Sequence, residues 1–132
     1  MNVNIDKAKH NEDFIKLIKK HGTNDYNDWI ITVCFYAALH YIKAYLKFKK
    51  VTAGFSHNQI DEQINPNNKK SKARLPEKIY NSYYELYRSS RNARYTAVYM
   101  NDFQKLLLEV NSKEAQEHLS DIKEHLKKIK VL

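Results

Sequence analysis

Only two glycines and two prolines punctuate the 132 residues of this chain. A β-sandwich or barrel needs a turn every ten residues or so, and residues that make tight turns are missing here. The expectation is an all-α fold: an up-and-down bundle of four to five helices, with residues 1–132 forming one domain. Its centre is the run Trp29 to Leu39, apolar all round, within a helix predicted over 24–50 and about 40 Å long. A helix without a polar face has to be surrounded by others. The greasy stretch Trp29 to Leu46 holds His40 and Lys43, so it is read as core and not as a membrane span. The opening MNVNIDKAKHNEDF has no apolar h-region, so no signal peptide is expected and the location expected is cytoplasmic. The single cysteine, Cys34, lies in the apolar run; it excludes an internal disulfide and reads as an inert buried thiol.

Other helices are placed around this element by periodicity. Ile5, Ala8, Ile15 and Ile18 share one arc of a first helix over 4–21, with Phe14 and Leu17 at its edge and Gly22 as its C′ residue. Asn24-Asp25 offers capping chemistry for the central helix. Residues 51–74 read as an irregular loop, functional or mobile, with a short helix over 56–64 broken at Asn65-Pro66. Leu75-Pro76-Glu77 then starts a third major helix with Pro at its first position. Ser89-Ser90-Arg91-Asn92 is expected to interrupt it, and a following helix carries Tyr99, Phe103, Leu106, Leu107 and Val110. A last helix is predicted from Asn111, with Glu114 as capping-box partner and a seam of Ala115, Leu119, Ile122, Leu126 and Ile129 that packs inside the bundle.

The charge, +8 overall, is localised. Residues 66–100 hold eight basic residues (Lys69, Lys70, Lys72, Arg74, Lys78, Arg88, Arg91, Arg94) against Glu77 and Glu85. The other 97 residues hold 15 basic and 13 acidic ones and are nearly balanced. Arginine forks for phosphate together with tyrosine rings for bases is the mixture that single-stranded nucleic acid requires. Tyr80, Tyr83 and Tyr87 are read first as core-edge packing, and Lys69 to Arg74 first as a solvated loop. Arg88, Arg91 and Arg94 span about 120° of helical arc with only Glu85 nearby, and such a cluster points to an anion outside the fold. His118 and His125 share a face with Glu114, a set read as surface histidines and not as a metal site. No metal and no cofactor is expected. Glycine-rich phosphate loops and nucleophile elbows are absent.

The order of three features carries a family resemblance. A long helix reads Trp29-x6-Tyr36-x3-His40, an irregular stretch contains Ser56-His57, and a tyrosine-rich helix ends Tyr83-x3-Tyr87-x-Ser-Ser-Arg91-Asn92-Ala-Arg94-Tyr95. Over roughly residues 24–110 this resembles the HEPN superfamily, compact prokaryotic helical domains of toxin–antitoxin and antiviral systems. The resemblance implies a homodimer acting as a metal-independent endoribonuclease, with a possible antitoxin or nucleotidyltransferase as partner and no membrane association. The implied motif is Arg, four to six residues, then His, with a polar residue often after the Arg. Arg91-Asn92 matches its first half, while the histidine is missing from every such window after Arg88, Arg91 or Arg94. A tyrosine at its ordinary pKa of ~10 is a poor base at neutral pH, so Tyr95 does not simply replace it.

Two repairs stay open. His40 or His57 approaches Arg91 in space and manages the proton while Arg91 stabilises phosphorane charge; or chemistry is lost and the domain binds RNA, a nucleotide or a protein partner. His40 has a bland reading as a buried, satisfied histidine, and His57 as a helix cap. The expected catalytic set is Arg91, Asn92, His40, His57 and Tyr95. The expected nucleic-acid contacts are Arg88, Arg94, Lys69, Lys70, Lys72, Arg74 and Tyr87.

Overall fold

A computed structural model describes residues 2–21, 24–54, 56–94 and 101–132. Among them every regular element is helical: α1 (Val3–Lys20), α2 (Asn27–Phe48), α3 (His57–Ile64), α4 (Glu77–Arg94) and α5 (Asp102–Lys128), with a single 3-10 turn at Asn24–Tyr26 before α2. The all-α bundle expected from the breaker count is therefore the observed fold.

Side-chain contacts give the helix directions. Glu12 meets Lys123 and Lys19 meets Gln116, so α1 and α5 run in opposite senses. Tyr36 meets Arg94, while Tyr45 meets the carbonyls of Ala73 and Arg74 just before α4, so α2 and α4 are antiparallel too. The four long helices thus alternate up and down. α2 lies between the other three, and thirteen of its residues are buried. Its length and composition would suffice to cross a membrane, in contrast to the reading of the sequence. It is also less evenly covered than its apolar run implies, because Trp29 and Tyr36 are exposed. Tyr41, Ile42, Tyr83, Leu86, Ile122 and Leu126 are fully buried between helices. Each such side chain contributes roughly 1.5–3 kcal/mol, so tertiary burial outweighs intrinsic helix propensity here.

Several boundaries differ from the sequence reading. α2 starts at Asn27, preceded by the 3-10 turn, and its N-cap residue Tyr26 makes no side-chain capping bond. α4 passes through Ser89–Asn92 without a break, because Ser90 is fully buried and returns its hydroxyl to the Tyr87 carbonyl. Pro76 stands just outside α4, where its carbonyl accepts the amides of Ile79 and Tyr80. No helix begins at Asn111. α5 is continuous from Asp102, with Asn101 and Gln104 forming the capping box assigned in sequence to Asn111 and Glu114. The seam Ala115, Leu119, Ile122 and Leu126 is buried inside the bundle as expected, whereas Phe103, Leu106, Leu107 and Val110 are exposed and Leu108 is the residue turned inward. Gly22, Tyr95 and Tyr99 lie outside the described residues.

The irregular stretch before α4 is stitched in place. Ser56 caps α3 in a capping box with Gln59, and Ile60 and Ile64 anchor α3 in the core. Residues 65–76 return alongside it through the amides of Ala73 and Leu75, which donate to the carbonyls of Gln63 and Ile64. The Ser71 hydroxyl reaches the carbonyls of Glu62 and Asn65.

Candidate nucleic-acid interface

The tyrosines and arginines of α4 divide by helical phase. Tyr83 points inward and is fully buried, Tyr80 and Tyr87 are half-buried at the edge, and Tyr84 is 43% exposed. The expected core-edge role of Tyr80, Tyr83 and Tyr87 holds, with Tyr83 deeper than the edge. Side chains four apart on a helix are neighbours, and Arg91 accordingly lies over Tyr87, its guanidinium carbon 5.7 Å from the ring centroid and one nitrogen 3.3 Å from the hydroxyl.

α3 brings a histidine to the same ring. His57 is the first residue of α3, directly after the Ser56 cap. Its imidazole stacks face to face on Tyr87, centroids 3.4 Å apart and planes 7° apart. His57 Nδ1 lies 3.2 Å from the buried Tyr83 hydroxyl. One turn along, Tyr80 donates to Asp61 Oδ1 at 2.6 Å. Long aromatic side chains therefore bridge α3 to α4 and hold His57 and Arg91, 34 residues apart in sequence, against one tyrosine.

This setting disfavours protonation of His57. Burial pushes its pKa below the ordinary value of 6.5, the Asp61 carboxylate pulls it upward, and the Arg91 guanidinium presses it down. Among the described residues the Tyr83 hydroxyl has His57 Nδ1 as its hydrogen-bond partner, and burial holds that hydroxyl protonated far into alkaline pH. A hydroxyl donating to Nδ1 leaves the proton of the neutral ring on Nε2. In that tautomer the ring offers a donor at Nε2, next to a fixed positive charge.

The three arginines are not equivalent. Arg88 is paired with Glu85 at 2.7 Å. Arg91 and Arg94 have no carboxylate partner among the described residues. Arg94 donates to the Ser90 carbonyl and the Tyr36 hydroxyl, both at 3.3 Å. Tyr36 and Tyr84, absent from the expected set, thus join a strip running Tyr84, His57 and Tyr87, Arg91, Arg94, Tyr36. Its extent along α4 is about 15 Å. Their sequence signals were the Tyr36-x3-His40 spacing and the position of Tyr84 one turn before Tyr87 and Arg88.

The remaining expected residues fall elsewhere. Asn92 is exposed on α4, a residue on from Arg91 and so turned about 100° away from it. His40 faces α1, its Nδ1 3.2 Å from Asn4 Oδ1, with burial, Lys43 and Lys7 all lowering its pKa. Lys69, Lys70, Lys72 and Arg74 are exposed in the turn before α4, where Arg74 donates to the carbonyls of Asn68 and Lys69. Glu77 to Arg91 spans about 21 Å of helix, so the basic window of the sequence resolves into two groups at opposite ends of α4. Tyr95 lies outside the described residues. His118 is tied to Ser82 at 3.3 Å, and no group of three metal-ligating side chains converges among the described residues.

Comparison with known proteins returned nothing: no family model, no curated protein and no solved structure matches this chain.

Proposed function

We propose that this chain is a HEPN-like domain that binds single-stranded RNA along the strip from Tyr84 to Tyr36, with a phosphate held between Arg91 and the Nε2–H of His57. The observation that carries this reading is the convergence of His57 and Arg91 on the Tyr87 ring. Arg91 and Arg94 supply charge that no carboxylate among the described residues cancels, and exposed Tyr36 and Tyr84 supply faces for bases. The net charge of +8 adds long-range attraction to a polyanion. The HEPN resemblance brings with it a homodimer and an antitoxin or nucleotidyltransferase partner as parts of the same reading.

A second reading, metal-independent cleavage, is favoured by the same juxtaposition. Attack of a ribose 2′-oxygen on the adjacent phosphorus needs a proton acceptor near a cation that stabilises the phosphorane. His57 Nε2 fills that role only when the ring proton moves to Nδ1 and Tyr83 turns from donor to acceptor. Binding is therefore the function the resting geometry favours.

The test is titration of a fluorescent single-stranded RNA, starting at about 50 mM salt, where phosphate contacts are strong. Binding that weakens steeply with added salt and with Arg91→Ala is the expected result. Failure to bind at low salt refutes the proposal. Incubation of the same RNA in EDTA addresses cleavage: products lost in both His57→Ala and Arg91→Ala support it, and intact RNA at enzyme excess removes the second reading alone.

A further inference from the structure

A second basic site lies on another part of the bundle. Where α2 ends, a cavity of about 350 Å³ opens between its last turns, the start of α1 and the irregular segment 51–54. Lys43, Lys47 and Lys50 line it together with Asn4 and Ile60, and no acidic side chain does. Lys43 and Lys47, at i and i+4, share one face of α2, and Lys50 follows two residues beyond the helix end, so three like charges gather around one space. His40, beside them, has its pKa lowered first by burial and then by Lys43 and Lys7. This is a concentrated positive field around a concave space, separate from the arginines of α4.

Two further features suit an anion. Thr52, Ala53 and Gly54 line the cavity, and their backbone amides make no hydrogen bond among the described residues. Lys50 adopts φ 58°, the left-handed conformation that closes α2, with the Val51 amide returning to the Leu46 carbonyl. Glycine is the residue that takes this position without strain, and a lysine stands here with its side chain on the cavity wall. The negative end of the α2 dipole, about half a charge, is outweighed by three ammonium groups. Leu46, Val51 and Ala53 give the space an apolar side.

We propose that this cavity binds a small oligophosphate, either inorganic or carried on an organic group that packs on the apolar side. Lysine binds phosphate as a mobile point charge, and three of them around one cavity match a chain of two or more linked phosphates better than a single monoanion.

The experiment is calorimetric titration of the full chain with inorganic triphosphate and, separately, with adenosine triphosphate, at physiological salt. Saturable binding at one site per chain is expected, with Lys43→Gln and Lys50→Gly each weakening it about three- to five-fold, the range of a single exposed ion pair. Lys50→Gly relieves the left-handed strain, so it retains the native melting temperature or raises it, and loss of binding in it is not loss of fold. Tighter binding of the nucleotide identifies an organic ligand using the apolar side; equal affinity identifies the phosphate chain alone. The proposal is overturned by absence of saturable binding, by affinity unchanged in both folded lysine variants, or by affinity that depends on Arg91 and not on Lys43 and Lys50.

Discussion

Replacing the α4 arginines one at a time separates the strip from mere net charge. Each change removes one positive charge, so a purely long-range attraction predicts the same loss from all three. The structure predicts a ranking. Among the described residues Arg91 and Arg94 hold neutral partners, the Tyr87 and Tyr36 hydroxyls and the Ser90 carbonyl, and can turn their guanidinium forks to phosphate. A hydrogen bond to a charged group contributes about 1.5–3 kcal/mol, and at this exposed site about 1–2 kcal/mol is expected, or about 5- to 30-fold in affinity. Arg88 has to leave Glu85, 2.7 Å away, before it can do the same. Their side chains are 62% and 38% exposed, so that pair is worth about 0.2–1 kcal/mol, which lowers what Arg88 adds to RNA binding by a similar amount. Anisotropy titrations across a salt series should show Arg91→Ala and Arg94→Ala each losing about 5- to 30-fold. Each should also flatten the log–log salt slope by about 0.7, the value for one phosphate on a single strand. Arg88→Ala should lose less, and Glu85→Gln, which releases Arg88, should tighten binding by up to about five-fold. Equal losses in all three arginine variants, or a loss greatest in Arg88→Ala, would refute the assignment of Arg91 and Arg94 as the contacting pair.

Three further outcomes are expected from the fold. Glu12 is a largely buried carboxylate that accepts from the Tyr41 hydroxyl and from Lys123 at 2.6 Å, joining α1 to α2 and α5; Glu12→Ala should cost about 2–3 kcal/mol in urea unfolding, because it strands a half-buried ammonium. Cys34 is fully buried, and burial foremost, with Glu12 adding and Lys19 opposing, pushes its thiol up to about 12; it should resist a disulfide reagent in the native protein and react at once in denaturant. His57, His40 and His125 all have pKa values lowered chiefly by burial, so the unfolded chain takes up protons first, and the urea midpoint should hold above about pH 6.5 and fall as pH drops below it. Tyr41, Tyr45, Tyr80 and Tyr83 are shifted upward, so the unfolded chain loses protons first on the alkaline side, and the midpoint should fall again above about pH 10.

Helix identity was legible where burial and periodicity agree. The apolar run of α2 and the 115–126 seam of α5 stand out because one pattern serves both helix and core. Boundaries were obscured where small polar residues do a packing job. Ser-Ser-Arg-Asn looks like a break, yet Ser82, Ser90 and Ala93 are buried, and small side chains let α4 lie close to its neighbours. Asn111 with Glu114 imitates a capping box, but Leu108, Ser112, Ala115 and Leu119 keep one buried face continuous through it, and that continuity outweighs a local cap. The basic window misled in another way, since charge counted along the chain carries no information about the 21 Å that α4 puts between its two ends.

The site itself was legible as residues and not as an arrangement. Arg91, His57 and Tyr87 were all named from sequence, but nothing local distinguishes His57 from His40 as the partner of Arg91. That choice is made by Ile60 and Ile64, whose burial sets the rotation of α3, and by the capping box that starts it at Ser56. Once α3 is so placed, Tyr83 and Tyr87 do different things with the same imidazole: the buried hydroxyl engages Nδ1 and the ring face of the next turn covers its plane. The remaining edge, with Nε2, has no hydrogen-bond partner among the described residues, and Arg91 reaches the same ring from the following turn. Two residues far apart in sequence are brought to one ring by two helices. Altering the packing of α3, for instance by Ile64→Ala, should therefore weaken RNA binding without removing any charge.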